Sequence, residues 1–259
     1  MNRRRFLRST GLVGGGVLVA AAGAATTQER DEATLRRSGH AVGAYRPAGL
    51  TGTTVTYRAR TSERVVALTF DDGPSRRYTA AVLDILEAAG VVATFNLVGR
   101  HAAQYPALAR RAAERHELGN HTWSHPDLSL TPAPQATRQL QRAATVIADV
   151  TGVRPGTFRP PYGYFSGATV MAAAGLDLPV VLWDQAFDRH GQSPTSNVER
   201  LAGAIGPGSV VLGHDGGSMP CDVVVAALPS LITRLQDQGY RFVTTSQLLA
   251  LDRRPEPVV

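Results

Sequence analysis

Two short stretches of the chain carry residue types suited to chemistry. Thr69-Phe70-Asp71-Asp72-Gly73-Pro74 places two adjacent carboxylates directly after the apolar run Val65-Val66-Ala67-Leu68. That run reads as a buried strand, and Gly73-Pro74 ends it at once. Neighbouring carboxylates repel, and neither ionises cheaply near a core without a counter-charge. A divalent cation on one of them relieves this and leaves the other free as a base. The second stretch, Gly119-Asn120-His121-Thr122-Trp123-Ser124-His125-Pro126, spaces two histidines four apart. On one helical turn such residues share a face, so both imidazoles reach one ion. Asp72, His121 and His125 then give three protein ligands and an open position, the layout of a catalytic metal site. Each stretch alone has a plainer reading, a solvated Asp-Asp turn or a packing histidine pair. Together they favour the metal.

The elements that must position these residues alternate along the chain. Strands are expected at Val65–Phe70, Ala93–Val98, Glu117–Asn120, Thr157–Arg159, Leu178–Trp183, Ser209–His214 and Arg241–Thr244. Helical patterns lie between them at Tyr78–Ala89, Tyr105–Arg115, Ala133–Val150, Gly167–Ala174, Val198–Ala204 and Val223–Gln238. Strands alternating with helices imply an α/β fold with a parallel barrel, whose active site lies at the carboxyl ends of the strands.

The two stretches resemble the first two motifs of the polysaccharide deacetylases, carbohydrate esterase family four with its nodulation-factor deacetylase homology domain. The resemblance runs from about Val65 to about Leu249, and the motifs follow in family order. It implies a distorted (β/α)7 barrel and a metal-dependent deacetylase, with zinc the expected ion. Phe158-Arg159-Pro160-Pro161-Tyr162-Gly163 is similar to the third motif. A strand-end Arg159 is suited to holding Asp71 ionised. The family role of Tyr162 is an oxyanion-binding backbone N–H, its ring lining the groove beside Pro160. Val210-Val211-Leu212-Gly213-His214-Asp215 resembles the fifth motif, in which His214 is the general acid and Leu212 lines the acetyl pocket. Trp183 suits either a sugar face or the core.

The fourth motif departs from the family pattern. Trp183-Asp184-Gln185-Ala186-Phe187-Asp188 offers Asp184 and Asp188 as candidates for the carboxylate that tunes the acid histidine, and no Asp-Trp follows. Asp184, nearer the strand end, is the expected one.

Outside this domain, Arg3-Arg4-Arg5-Phe6-Leu7-Arg8 followed by an apolar run from Gly11 to Ala25 reads as a twin-arginine signal peptide over residues 1–25. Export across the cytoplasmic membrane, with the twin-arginine machinery as partner, is the expectation. Residues 26–62 read as a linker with an edge strand near Val55-Thr56-Tyr57, 63–250 as the deacetylase domain, and 251–259 as a polar tail. The formal charge of +6 does not mark a nucleic-acid binder: 27 basic residues less the leader's four leave 23 against 21 acidic ones, and no basic stripe is present. No lysine occurs, which excludes Schiff-base chemistry, and the one cysteine, Cys221, forms no internal disulfide.

The expected substrate is an acetylated N-acetylglucosamine polymer, peptidoglycan or chitin-type, acted on by a monomer. An O-acetyl xylan esterase, or a catalytically weak carbohydrate-binding member of the fold, are the alternatives.

Overall fold

The computed structural model describes residues 53–187, 192–219 and 221–252. The signal peptide, residues 26–52 of the linker, Asp188 and residues 253–259 of the tail lie outside the described residues.

The central strand is β2 (Val65–Asp71), buried over all seven residues. A strand covered on both faces needs a continuous apolar run rather than alternation, and this one has it up to Thr69. Its two faces differ in partner. Val66, Leu68 and Phe70 join the large core cluster beneath the helices, where Phe70 and Phe95 pack at 5.3 Å between ring centroids. Val65 and Ala67 join a second cluster with Val181 and Val210. Thr69 and Asp71 continue that second face by the two-residue period, so Asp71 points to the inside of the sheet.

Strands β1 (Val55–Thr56), β3 (Thr94–Leu97), β4 (Glu117–Asn120), β5 (Thr157–Phe158), β6 (Val180–Val181), β7 (Gln185–Ala186), β8 (Ser209–His214) and β9 (Arg241–Phe242) complete one sheet. Its order is β1-β6-β5-β4-β3-β2-β8-β7, with β9 paired to the start of β2. All these ladders are parallel. The fold is the expected distorted barrel, with β1 supplying the expected edge strand on β6.

Helices α1 (Tyr78–Ala89), α2 (Gly99–Gln104), α3 (Pro106–Arg115), α4 (Ala133–Thr151), α5 (Gly167–Ala174), α6 (Pro194–Ala204), α7 (Cys221–Asp237) and α8 (Thr245–Ala250) connect the strands. Helices α1 and α4 stop at Gly90 and Gly152, whose φ values of 66° and 77° suit a left-handed cap. Capping boxes at Ser166 and Thr244 start α5 and α8. Three elements escape the sequence pattern: α2 and α8, each six residues long, and β7, two residues long. None is long enough to show a period. No helix among the described residues is long and apolar enough to cross a membrane.

Parallel register delivers the chemistry. Asp71 pairs with His214 across β2 and β8, and with Asn96 across β2 and β3. Paired residues of neighbouring strands project to the same face, so these three side chains converge on one end of the sheet. Gly119 on β4 pairs with Asn96, and a Cβ there would overlap the Asn96 carboxamide. Gly119→Ala is therefore expected to destabilise by about 1–3 kcal/mol through overpacking and to lower turnover by displacing Asn96. Urea unfolding checks this, and an unchanged midpoint would mean that Asn96 moves aside freely.

Candidate active site

Asp71 and Asp72 share a backbone corner but face different partners. Both are buried, at 3% and 8% exposure. Asp71 Oδ1 accepts hydrogen bonds from Asn96 Nδ2 at 2.7 Å and from an Arg159 guanidinium N–H at 2.9 Å. Its Oδ2 takes neither and lies 3.9 Å from His121 Nε2. At Asp72 the chain turns left-handed, with φ of 72°. Its Oδ1 then comes within 3.4 Å of His121 Nε2 and 3.0 Å of His125 Nε2. The peptide carbonyl of Asp72 accepts from His101 Nδ1 at 2.7 Å, which fixes the turn from behind.

The two histidines meet by a route other than the expected helical turn. Residues 121–127 form an irregular loop after β4. Thr122 and His125 both take left-handed φ, 67° and 62°. Side chains hold the loop: Asn120 Oδ1 accepts the Thr122 N–H at 2.9 Å, and Thr122 Oγ1 accepts the His125 N–H at 2.9 Å. These local bonds replace the helical ladder, as Asn and Thr side chains readily do. His121 Nδ1 donates to the Arg159 carbonyl at 2.7 Å, so its Nε2 faces Asp72. The rings of His121 and His125 meet edge to face at 4.9 Å.

This donor set fits a divalent ion. One ligand atom from each of Asp72, His121 and His125 lies within 4.8 Å of the others. Asp72 Oδ1 is buried and makes no hydrogen bond of acceptable geometry, the condition of an oxygen awaiting a cation. The Nδ1 anchor of His121 orients its ring as outer partners of metal-binding imidazoles do. Two imidazoles and a carboxylate suit zinc and also iron, cobalt or manganese.

Charge follows the geometry. Burial alone would raise the Asp72 carboxyl, but the imidazoles of His121 and His125 close against it and hold it far below the usual carboxylate range. Burial alone would lower His121, yet Asp71 and Asp72 outweigh it and raise its pKa in the metal-free protein. Protonation of His121 thus competes with an incoming ion.

Arg159 is 1% exposed and satisfied on every side. Its Nε donates to the Val181 carbonyl at 2.9 Å, and its terminal nitrogens to Thr69 Oγ1, Asp71 Oδ1 and the Leu182 carbonyl. Burial lowers its pKa, and the Asp71 charge opposes that. Tyr162 follows in a 3-10 turn, with φ of 60° and an exposed ring 4.6 Å from that of His125. Its backbone N–H has no protein acceptor among the described residues. A groove with a volume of about 890 Å³ is lined by Asp71, Asp72, His121, His125, Tyr162, Trp183, Leu212 and His214, among others. Trp183 is half-buried between the second-face core cluster and this groove, which reconciles its two readings.

Two expectations need correction. Pro160 is buried beneath the turn, where its carbonyl accepts the Gly163 N–H, and it does not line the groove. Asp184 does not reach His214. Its carboxylate accepts from Ser209 Oγ at 2.9 Å and the Val210 N–H at 2.8 Å, at the opposite end of β8. Proximity in sequence to β6 misleads because β7 runs beside β8 with Gln185 level with Val211. Asp188 lies outside the described residues.

Three further residues have no role assigned from the sequence. Asn96 is betrayed by an amide side chain between Phe95 and Leu97 in a fully buried strand. His101 has no sequence signal. Asp215 follows His214 and is fully buried. Thr79 Oγ1 donates to its Oδ2 at 2.5 Å, and its Oδ1 is unpartnered. Burial, reinforced by the charges of Asp72 and Asp71, pushes this carboxyl up to about 7. The folded pKa is above the unfolded one, so the contribution to stability is complete below the unfolded value and is lost as pH rises through the folded one. In the metal-free protein, Asp215→Asn is expected to gain stability relative to wild type as pH rises from about 4 to about 7. Urea midpoints in chelator across that range check it, and a constant difference would count against it.

The polysaccharide deacetylase family model matches residues 58–181. The peptidoglycan-N-acetylglucosamine deacetylase PgdA of Listeria monocytogenes is 36% identical over 194 residues, covering 74% of this chain and 40% of that protein. This chain thus spans about two fifths of the length of that relative. A chitooligosaccharide deacetylase of Sinorhizobium fredii is 36% identical over 199 residues, covering 71% of this chain and 91% of that one. The crystal structure of the Bc1960 peptidoglycan N-acetylglucosamine deacetylase superposes with a TM-score of 0.73 at 30% identity, over 78% of this chain and 95% of the other. With motifs, fold and relatives in agreement, this chain belongs to the polysaccharide deacetylases of carbohydrate esterase family four.

Proposed function

We propose that this protein is a divalent-metal-dependent hydrolase that removes acetyl groups from N-acetylglucosamine-containing polysaccharide. The observation that carries the reading is the division of labour between Asp71 and Asp72. One Asp71 oxygen is held by Arg159 and Asn96, while the other is left beside a three-ligand cluster. A divalent ion held by Asp72, His121 and His125, zinc by preference, supplies Lewis acidity to the attacking water and the acetyl carbonyl.

The chain's own groups do the rest. Asp71 Oδ2 takes a proton from the attacking water, and Arg159 keeps that carboxylate aimed through its other oxygen. The Tyr162 N–H donates to the oxygen that becomes negative as the carbonyl carbon turns tetrahedral. His214, level with Asp71 on the adjacent strand, protonates the sugar nitrogen as the carbon–nitrogen bond breaks. Acetate and a free amine leave. Leu212, nearly buried at the groove wall, shapes the space for the acetyl methyl.

Peptidoglycan and chitin-type chains are the proposed substrates, supported by what the named relatives act on. The leader at residues 1–25 is proposed to export the folded, metal-loaded protein to the cell envelope through the twin-arginine route.

Asp71→Asn is expected to lower kcat by at least ~100-fold, the scale of a lost general base, while leaving bound metal unchanged. Asp72→Asn is expected to lose both. Metal content of the purified variants beside their rates decides this, and loss of metal in Asp71→Asn would sink the separate roles. Acetate release from residues 26–259, metal-stripped and then reloaded, tests the activity itself. Metal-restored release from chitin oligosaccharides and peptidoglycan is expected. Release from acetylated xylan alone would favour an esterase, and release from none would favour a binding protein.

A further inference from the structure

This inference rests on the deacetylase reading and concerns which glycan the groove selects. Arg100 is the second residue of α2, and its root is fixed against the metal-ligand loop. Gly99 N–H donates to the Thr122 carbonyl at 2.9 Å, and Arg100 N–H to the Trp123 carbonyl at 3.1 Å. Its guanidinium is also oriented. His101 gives its Nδ1 proton to the Asp72 carbonyl, which leaves His101 Nε2 as an acceptor for Arg100 Nε–H at 3.3 Å. A chain of bonds therefore runs from the backbone of a metal ligand out to an exposed arginine.

Among the described residues, the terminal nitrogens of that arginine have no protein partner and no carboxylate pairs with it. Arg100 is also the one arginine among the described groove-lining residues. The groove's carboxylates, Asp71 and Asp72, are already engaged by Arg159 and by the two histidines. Gln104, Tyr105, Ser124, Tyr164 and Ser218, which also line the groove, are uncharged. An oriented guanidinium with both terminal nitrogens unused is a fork for a carboxylate. Chitin-type chains carry none. Peptidoglycan glycan carries the lactyl carboxylate of its muramyl residues, or, where that is amide-linked, the carboxylates of the attached peptide.

We propose that Arg100 forms a carboxylate subsite at the rim of the groove, which selects a muramyl-bearing glycan over a neutral N-acetylglucosamine oligomer.

The test compares metal-loaded wild type, Arg100→Gln and Arg100→Lys. The substrates are a neutral N-acetylglucosamine tetramer, a peptide-free muramyl-containing tetramer and the same glycan with its peptide. The readout is the ratio of kcat/KM for anionic over neutral substrate. Arg100→Gln is expected to lower it about tenfold, mostly through KM, on the scale of one charged hydrogen-bonding pair at a partly exposed site. Arg100→Lys is expected to restore part of it, and added salt to lower it in wild type more than in Arg100→Gln. A fall with the peptide-free glycan assigns the lactyl group, and a fall only with the peptide-bearing glycan assigns the peptide. An unchanged ratio, which hydrogen bonding to sugar hydroxyls would give, overturns the subsite. Calorimetric binding of the same glycans, compared between wild type and Arg100→Gln, decides the subsite independently of turnover. If no substrate releases acetate, the deacetylase reading falls while the binding ratio still answers for Arg100.

Discussion

The structure depends on one buried guanidinium. Arg159 sits inside the sheet with almost no exposure, where an unpaired charge would be prohibitively costly. It is tolerated because each of its nitrogens has a partner: the main-chain carbonyls of Val181, which ends β6, and of Leu182 just after it, and one hydroxyl and one carboxylate of β2. Those bonds tie the ends of strands far apart in sequence. Its carbonyl also orients His121. One residue thus fixes the base and a metal ligand together. Losing it would leave Asp71 buried without its counter-charge, and would unpin the loop end that holds His121.

Around this anchor the backbone is strained. Asp72, Thr122, His125 and Tyr162 are four of the five non-glycine residues with positive φ among the described residues. Each such residue costs about 1–3 kcal/mol and persists only where its surroundings over-determine it. Here they do so with specific bonds: His101 behind Asp72, Asn120 beneath Thr122, Thr122 beneath His125. The strain brings ligands from two strand ends to one point, which straight strands and helices would not do.

This explains what was legible in the sequence and what was not. β2 and β8 were legible because burial on both faces demands apolar runs, and their ends therefore located Asp71 and His214. The ligand residues were legible as types at a spacing. The route by which they converge was not, because His-x-x-x-His fits a helical turn as well as this loop, and only tertiary bonds to Asn120 and Arg159 choose between them. Asp184 misled for a related reason. A carboxylate three residues past the end of β6 is judged by its neighbours in sequence, whereas its environment is set by the N-terminal end of β8. Asp215, by contrast, needed only its adjacency to His214, and its burial was invisible without the turn of Gly73 and helix α1 packed over it.

The arrangement also separates what is constrained from what is free to vary. Acid and base lie at level positions on paired parallel strands, roughly 4.8 Å apart in backbone and fixed by six consecutive register pairs. Asp72 is one residue further on. The reacting groups are therefore set by the sheet, and changing their spacing would mean changing its register, which would turn every buried side chain of β2 to the wrong face. The rim has no such obligation. Arg100, Tyr162, Tyr164 and Met219 project from short helices and loops into the groove without supporting a strand. Selectivity for the polymer is for this reason expected to reside in rim side chains, over chemistry that the sheet holds constant.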